Sequence, residues 1–161
     1  MINSPEKSAE QAKSQRKENE GLLDKLRQNK RELDELFHLN HQSVFSEMNC
    51  LDCANCCKTT SPIFLQTDID RIAKHLDLKV GEFIVKYLEM DEDGDFVLQQ
   101  APCTFLNQDN KCAIYDVRPK ACSEYPHTNR KNMVEILDLT IENSIVCPAV
   151  NEIIKRIKVD S

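Results

Sequence analysis

The sequence has little of what nucleotide-binding and nucleic-acid-binding proteins use. Its 161 residues include three glycines, and no stretch follows the G-x-G-x-x-G or G-x-x-x-x-G-K-[ST] patterns that hold phosphate groups. Acidic residues outnumber basic residues by 27 to 21, so the chain also lacks the excess positive charge that binds phosphate backbones or anionic lipid. We therefore expect no nucleotide hydrolysis, no dinucleotide binding and no nucleic-acid partner.

Long apolar segments are missing as well. Tryptophan is absent, aromatic residues make up 6% and hydrophobic residues 40% of the chain, which is enough for one modest core. No apolar run reaches the roughly 18 residues of a membrane-spanning helix, and the first 20 residues lack the apolar stretch of a secretory signal. These features predict a cytoplasmic protein of about one domain with no membrane partner.

Cysteine is the residue that the chain has in excess, with eight copies. Four lie close together, Cys50, Cys53, Cys56 and Cys57, and four are dispersed: Cys103, Cys112, Cys122 and Cys147. Thiols in a reducing cytoplasm rarely form structural disulfides and more often bind metal. We therefore predict that all eight are metal ligands, the alternative for each dispersed cysteine being an ordinary buried thiol.

The spacing C-x-x-C-x-x-C offers Cys50, Cys53 and Cys56 to a single centre. Since adjacent side chains are expected to diverge, we predict that Cys57 serves a second centre. That centre would include three of the dispersed cysteines, and the fourth would complete the first centre. Sets of four thiolates suit either zinc or an iron–sulfur cluster. The ferredoxin-like step slightly favours iron–sulfur, whereas zinc in two closed sites would be structural.

Two further motifs follow the cluster: P-C-T-F-L from Pro102, and C-A-I-Y-D-V-R-P-K-A-C-S-E-Y-P from Cys112. Together with C-x-x-C-x-x-C-C they closely resemble the YkgJ-type cysteine cluster family, also called the CxxCxxCC zinc- or iron-chelating domain, over residues 48–150. The resemblance implies a small cytoplasmic metal-binding domain without an established activity.

Other functions remain open from this resemblance. A looser similarity to the cysteine region of flagellin lysine N-methylase makes a protein-modifying or redox enzyme one alternative. That enzyme is much longer, so methyl transfer is not expected here. A zinc-stapled interaction module is the other alternative.

Several residues within the second motif have interpretations of their own. Arg118 precedes a proline and is therefore expected to be extended, with the next residues starting the helix that carries Cys122. Its charge would balance negative thiolates, the alternative being an ion pair with Asp116. Tyr115 and Tyr125 flank the cysteines as apolar cover. The histidines are weaker candidates: His127 is an alternative ligand, and we expect His38, His41 and His75 at the surface.

The predicted fold class is small α+β, mostly helical with a few short strands, organised around cysteine-bound metal. Residues 1–45 are predicted to form one long amphipathic helix, because Leu22, Leu26, Leu33 and Phe37 fall on one face. This helix is expected to pack on its own domain, with docking of a protein partner as the alternative. Residues 46–161 are predicted to be the metal-binding domain.

The elements expected within that domain follow from turn and capping residues. They are a strand at 62–65, a helix opened by Thr67 and Asp70, a second helix after Gly81, an acidic turn at 91–95 followed by a strand at 96–98, a polar turn at 107–111, a short element at 133–139 and a C-terminal helix.

Overall fold

The computed structural model describes residues 3–161 and is mostly helical, with one small sheet. This confirms the secondary-structure content of the predicted α+β class, while its organisation around metal stays a prediction. The α-helices are α1 Pro5–Ser14, α2 Arg16–Leu26, α3 Lys30–Glu47, α4 Cys50–Cys53, α5 Asn55–Thr59, α6 Gln66–His75, α7 Val80–Tyr87, α8 Lys120–Glu124, α9 Leu137–Val146 and α10 Pro148–Asp160. Short 3₁₀ helices span Tyr115–Val117 and Met133–Ile136, and strands β1 Leu88–Met90 and β2 Phe96–Leu98 pair antiparallel.

The chain forms two compact units. The helical unit comprises the described residues up to Cys50 together with 126–161, and the cysteine unit comprises residues 51–125. The boundary predicted between residues 45 and 46 stays a prediction. Among residues 3–161, no helix combines the length and apolar character needed to cross a membrane.

The single long N-terminal helix predicted from the sequence is wrong, because the structure has three helices there. The first break is at Gln15, whose backbone leaves helical geometry with ψ of 6°. The second break precedes α3, where the Asn29 side chain accepts a hydrogen bond from the Glu32 backbone N–H. Such capping satisfies an N–H group that would otherwise lack a partner, and it favours a new helix start at this point.

The predicted apolar stripe is only partly buried inside the helical unit. Its members Leu33 and Phe37 are 0% exposed, and Leu23 beside it is 1% exposed. Leu22 and Leu26 are half-buried. Helix α10 packs against α3 and α1, and contributes Ile153 and Ile157 to the same interior. The interpretation that the N-terminal stripe packs on its own protein therefore agrees with the structure.

In the cysteine unit, α6 and α7 pack together next to the β1–β2 hairpin. The acidic residues 91–95 form the turn of this hairpin, as predicted. The strand expected at 62–65 is reduced to one bridge, between Phe64 and Phe96. Gly81 does not precede the second helix but lies inside α7, since the Glu82 carboxylate accepts a hydrogen bond from the Lys79 N–H and starts the helix at Val80.

Aromatic side chains fill the core of the cysteine unit. Phe83 packs near Tyr87 and Phe105, with ring centroids 5.3 Å and 6.4 Å away. Cys103 and Cys112 are partly buried against this core. The aromatic cluster thus anchors the loop that carries two of the predicted ligands.

Candidate metal centre

Helix α5 places Cys57 beside the loop that begins at Cys103. The helix starts after Ala54, which adopts the left-handed conformation with φ of 49°. One turn later, the backbone carbonyl of Cys57 accepts a hydrogen bond of 2.7 Å from the Cys103 N–H. Two cysteines that are 46 positions apart in the sequence are therefore joined through their backbones.

A tight loop connects Cys103 to Cys112. Leu106 and Cys112 form an antiparallel bridge, and the Asn107 N–H donates to the Lys111 carbonyl across the predicted polar turn. Further back, the Ala113 N–H donates to the Phe105 carbonyl at 2.8 Å. These bonds fix both ends of the loop and hold its two cysteines on a rigid backbone.

Helix α8 supplies Cys122, the third dispersed cysteine of the cysteine unit. It begins immediately after Pro119, and the Cys122 N–H donates to the Pro119 carbonyl at 2.9 Å. The extended backbone of Arg118, with ψ of 153°, leads into this start. The prediction that Arg118-Pro119 opens the helix carrying Cys122 is confirmed.

Four thiols of the cysteine unit are within electrostatic range of one another: Cys57, Cys103, Cys112 and Cys122. Burial raises the pKa of Cys103 and Cys112, and the negative charge of a Cys57 thiolate raises both further. Although the Cys122 residue is exposed as a whole, the protein around its thiol and the charges of the other three raise its pKa to about 12. Without a counter-charge, these four thiols oppose one another's ionisation.

Cys57 differs from the other three. A hydrogen bond from the Cys56 side chain lowers the pKa of Cys57 to about 7, against the opposing effect of burial. This contact also corrects the expectation that the two adjacent side chains diverge, because their sulfurs are within hydrogen-bond range. The assignment of Cys56 and Cys57 to different centres stays a prediction.

Arg118 places a positive charge near these thiols. Its guanidinium lies over the Tyr115 ring, 4.0 Å from the centroid, and its Nη1 donates to the Tyr115 carbonyl at 2.7 Å. The charge lowers the pKa of both Cys112 and Cys122, in opposition to burial. Arg118 is thus held in place by Tyr115, where its charge favours the thiolate forms.

The sequence of this cysteine unit contains the motifs of a known domain family. The family model of CxxCxxCC, described as a putative zinc- or iron-chelating domain, matches residues 49–145. The chain belongs to the CxxCxxCC family. Among curated proteins and among solved structures, the chain has no significant match.

The CxxCxxCC match includes seven of the eight cysteines and leaves Cys147 just outside it. Cys50 and Cys147 belong to the helical unit, where Cys147 is buried and Cys50 is exposed. Cys53 and Cys56 lie in the cysteine unit and are partly buried. The assignment of Cys50, Cys53 and Cys56 to one centre, completed by a dispersed cysteine, stays a prediction.

The donor chemistry of the CxxCxxCC cysteine unit fits either metal of the family description, because thiolates bind both zinc and iron. Within residues 3–161, no three His, Cys, Asp or Glu side chains are arranged around one ion position. Cysteine side chains have one χ1 angle, whose rotation moves the sulfur while the backbone stays fixed. Backbone hydrogen bonds fix the main chain around Cys57, Cys103 and Cys122. Rotation about χ1 is therefore the movement by which these sulfurs would converge on a metal ion.

Other predicted candidates in the CxxCxxCC chain have different surroundings. Tyr125 is partly buried at the end of the cysteine unit. Tyr115 lies outside the core and is 43% exposed, although the Arg118 guanidinium covers one face of its ring. In the helical unit, His41 is only partly exposed, and its Nδ1 is 2.8 Å from the buried Thr128 hydroxyl. His38 Nε2 is bonded to the Arg130 carbonyl. The expected surface position is thus confirmed for His75, which is exposed, whereas His38 and His41 are half-buried.

Two residues that bind the segment leading to Cys122 could not be recognised from the sequence. Asp68 in α6 is 1% exposed, and Arg71 lies one turn further along the same helix. The carboxylate that starts α6 is that of Asp68, which accepts from the Leu65 N–H, and not that of Asp70 as predicted. The available signal was the pair D-x-x-R on one helix face, but its contacts with the second cysteine motif are distant in sequence.

Proposed function

We propose that this protein functions by binding metal through the four thiols Cys57, Cys103, Cys112 and Cys122, which form one tetrathiolate centre in the cysteine unit. Metal chelation is the property that its family description gives. These four ligands are distinct from Cys50, Cys53 and Cys56, whose spacing predicts a separate centre.

The mutual influence of the four thiols carries this proposal. Each of Cys103, Cys112 and Cys122 is destabilised as a thiolate by burial and by a negative charge on Cys57. A bound cation removes this conflict, since it supplies the positive charge that the thiolates lack. Arg118 offsets only part of that charge, because it is a single cation near two of the four sulfurs.

We further propose that the metal is iron in an iron–sulfur cluster, and zinc is the alternative. The choice of iron extends to this centre the metal that the ferredoxin-like spacing of Cys50, Cys53 and Cys56 favours for the other predicted centre; four thiolates by themselves suit either metal. When bound, an iron–sulfur cluster supplies one-electron chemistry, whereas zinc with four thiolates supplies structural stability.

Anaerobic purification followed by elemental analysis and an absorption spectrum tests both parts. Iron–sulfur protein is brown, with broad absorption that bleaches in air, and zinc protein is colourless. The Cys122→Ser variant should lose metal, while Ser123→Ala, at an exposed position on the same helix, should retain it. Wild-type protein that holds no metal from cells supplied with iron and zinc would refute the function. Colourless protein with zinc would refute only the choice of iron.

A further inference from the structure

A buried carboxylate lies outside the predicted ligand set. Asp68 is 1% exposed, although charged residues are seldom buried without partners. It belongs to α6, whose Ile69 and Ile72 form part of the aromatic core of the cysteine unit.

Three donors satisfy both oxygens of Asp68. Its Oδ2 accepts from the Leu65 N–H at 3.0 Å, which starts helix α6. Its Oδ1 accepts from Arg71 Nη2 at 2.7 Å and from the Lys120 N–H at 3.1 Å. The bond to Lys120 crosses 52 positions of sequence and reaches the first residue of α8.

Arg71 binds the same segment by donating hydrogen bonds to two of its backbone carbonyls. Its Nη2 donates to the Arg118 carbonyl at 2.9 Å, and its Nε donates to the Val117 carbonyl at 3.3 Å. Asp68 and Arg71 together therefore bind the backbone from Val117 to Lys120 through one N–H group and two carbonyls. This segment leads directly to the Cys122 thiol.

We propose that Asp68 and Arg71 are positioning residues of the metal centre, which fix the backbone of residues 117–120 and so direct the Cys122 thiol and the Arg118 guanidinium toward the other thiols. This inference rests on the proposed function. Neither residue touches metal; both act through the backbone that carries Cys122 and Arg118. Outer residues that orient metal ligands typically change metal affinity by about 10- to 100-fold when they are substituted.

The substitution Asp68→Asn tests this role. An amide offers one acceptor oxygen and one NH₂ donor, so it must leave unsatisfied, or repel, a donor that the carboxylate accepts. We expect cobalt(II), used as a probe in anaerobic reduced protein, to bind about 10- to 100-fold more weakly to this variant. The sulfur-to-cobalt charge-transfer absorption should also change in position or intensity, because the Cys122 sulfur is no longer directed correctly.

A matched control separates positioning from general loss of stability. Ile72→Val in the same helix removes one buried methylene, at a position that is 0% exposed, and leaves the hydrogen bonds of Asp68 in place. We expect Ile72→Val to lower the thermal midpoint while leaving cobalt affinity and spectrum as in the wild type. The proposal would be overturned if Asp68→Asn and Ile72→Val lost the same cobalt affinity for each degree by which they lower the thermal midpoint.

Arg71→Lys provides a second test should Asp68→Asn fail to fold. Its side chain is 41% exposed, and lysine keeps the charge but cannot donate to Asp68 and two carbonyls in the planar geometry of arginine. We expect weaker cobalt binding with an altered spectrum. Wild-type affinity and spectrum in Arg71→Lys would overturn the positioning role while the proposed function stands. Wild-type protein that binds no cobalt would instead refute the proposed function.

Discussion

Acidification should release metal from the four-thiol centre more steeply than it would from a site with fewer cysteines. In the metal-free protein at pH 7, Cys57 is about half ionised, since its pKa is about 7. The thiols of Cys103, Cys112 and Cys122 are protonated, because their pKa values are raised above the ordinary value. Metal binding requires all four as thiolates.

The number of protons released sets the pH dependence of affinity. Three protonated thiols and a half-protonated fourth release about 3.5 protons per metal at pH 7. The association constant for metal should therefore fall by about three and a half powers of ten per unit of pH near 7. Above pH 8 the count should decline to about three, since Cys57 is then already ionised.

Calorimetric titration with zinc measures this count directly. Anaerobic titrations in two buffers with different protonation enthalpies give the protons released, and the Cys122→Ser variant serves as the control with one thiol fewer. The titration should use protein in which Cys50, Cys53 and Cys147 are serine, so that a second centre does not contribute, while Cys56 is kept because its side chain lowers the pKa of Cys57. A release of one or two protons at pH 7 would refute the four-thiol ligand set.

Three further predictions follow from single groups. Arg118→Gln removes the cation near Cys112 and Cys122, so zinc affinity in competition with a chelator should fall about two- to fivefold, as is typical for a partly exposed charge; affinity equal to that of the wild type would contradict its role. In the metal-free protein, the free energy of unfolding measured with urea should rise between pH 7 and 9, because the pKa of Cys57 is lowered in the folded state. It should fall between pH 9 and 12, because the pKa of Cys122 is raised in the folded state. A flat profile would contradict both shifts. Asn143→Leu should raise the free energy of unfolding by about 1 kcal/mol, because the Asn143 amide nitrogen is buried without a hydrogen-bond partner; a lower unfolding free energy in urea would show that this amide has a stabilising partner.

Local sequence signals predicted the elements of this fold that depend on neighbouring residues. The acidic turn at 91–95, the polar turn at 107–111 and the C-terminal helix are all present. Arg118-Pro119 starts α8 because proline restricts the residue before it and suits a helix start. The spacing of the cysteine motifs was sufficient to recognise the CxxCxxCC family from the sequence.

Features that depend on distant contacts could not be predicted in this way. The break at Gln15 carries no capping signal in the sequence, since its side chain makes no capping bond. Asp68 was invisible as a site residue because its partner Lys120 lies 52 positions away. The Cys56–Cys57 contact was also missed, because adjacent side chains were assumed to diverge.

The claim that four thiols of the cysteine unit are sufficient to hold metal has one direct test. The variant Cys50→Ser, Cys53→Ser, Cys56→Ser, Cys147→Ser keeps only Cys57, Cys103, Cys112 and Cys122. Its metal content per chain should be measured by elemental analysis after anaerobic purification and confirmation of helical content by circular dichroism. We expect one metal centre per folded chain. Folded protein that contains no metal, from cells in which the wild type is loaded, would contradict the proposed centre.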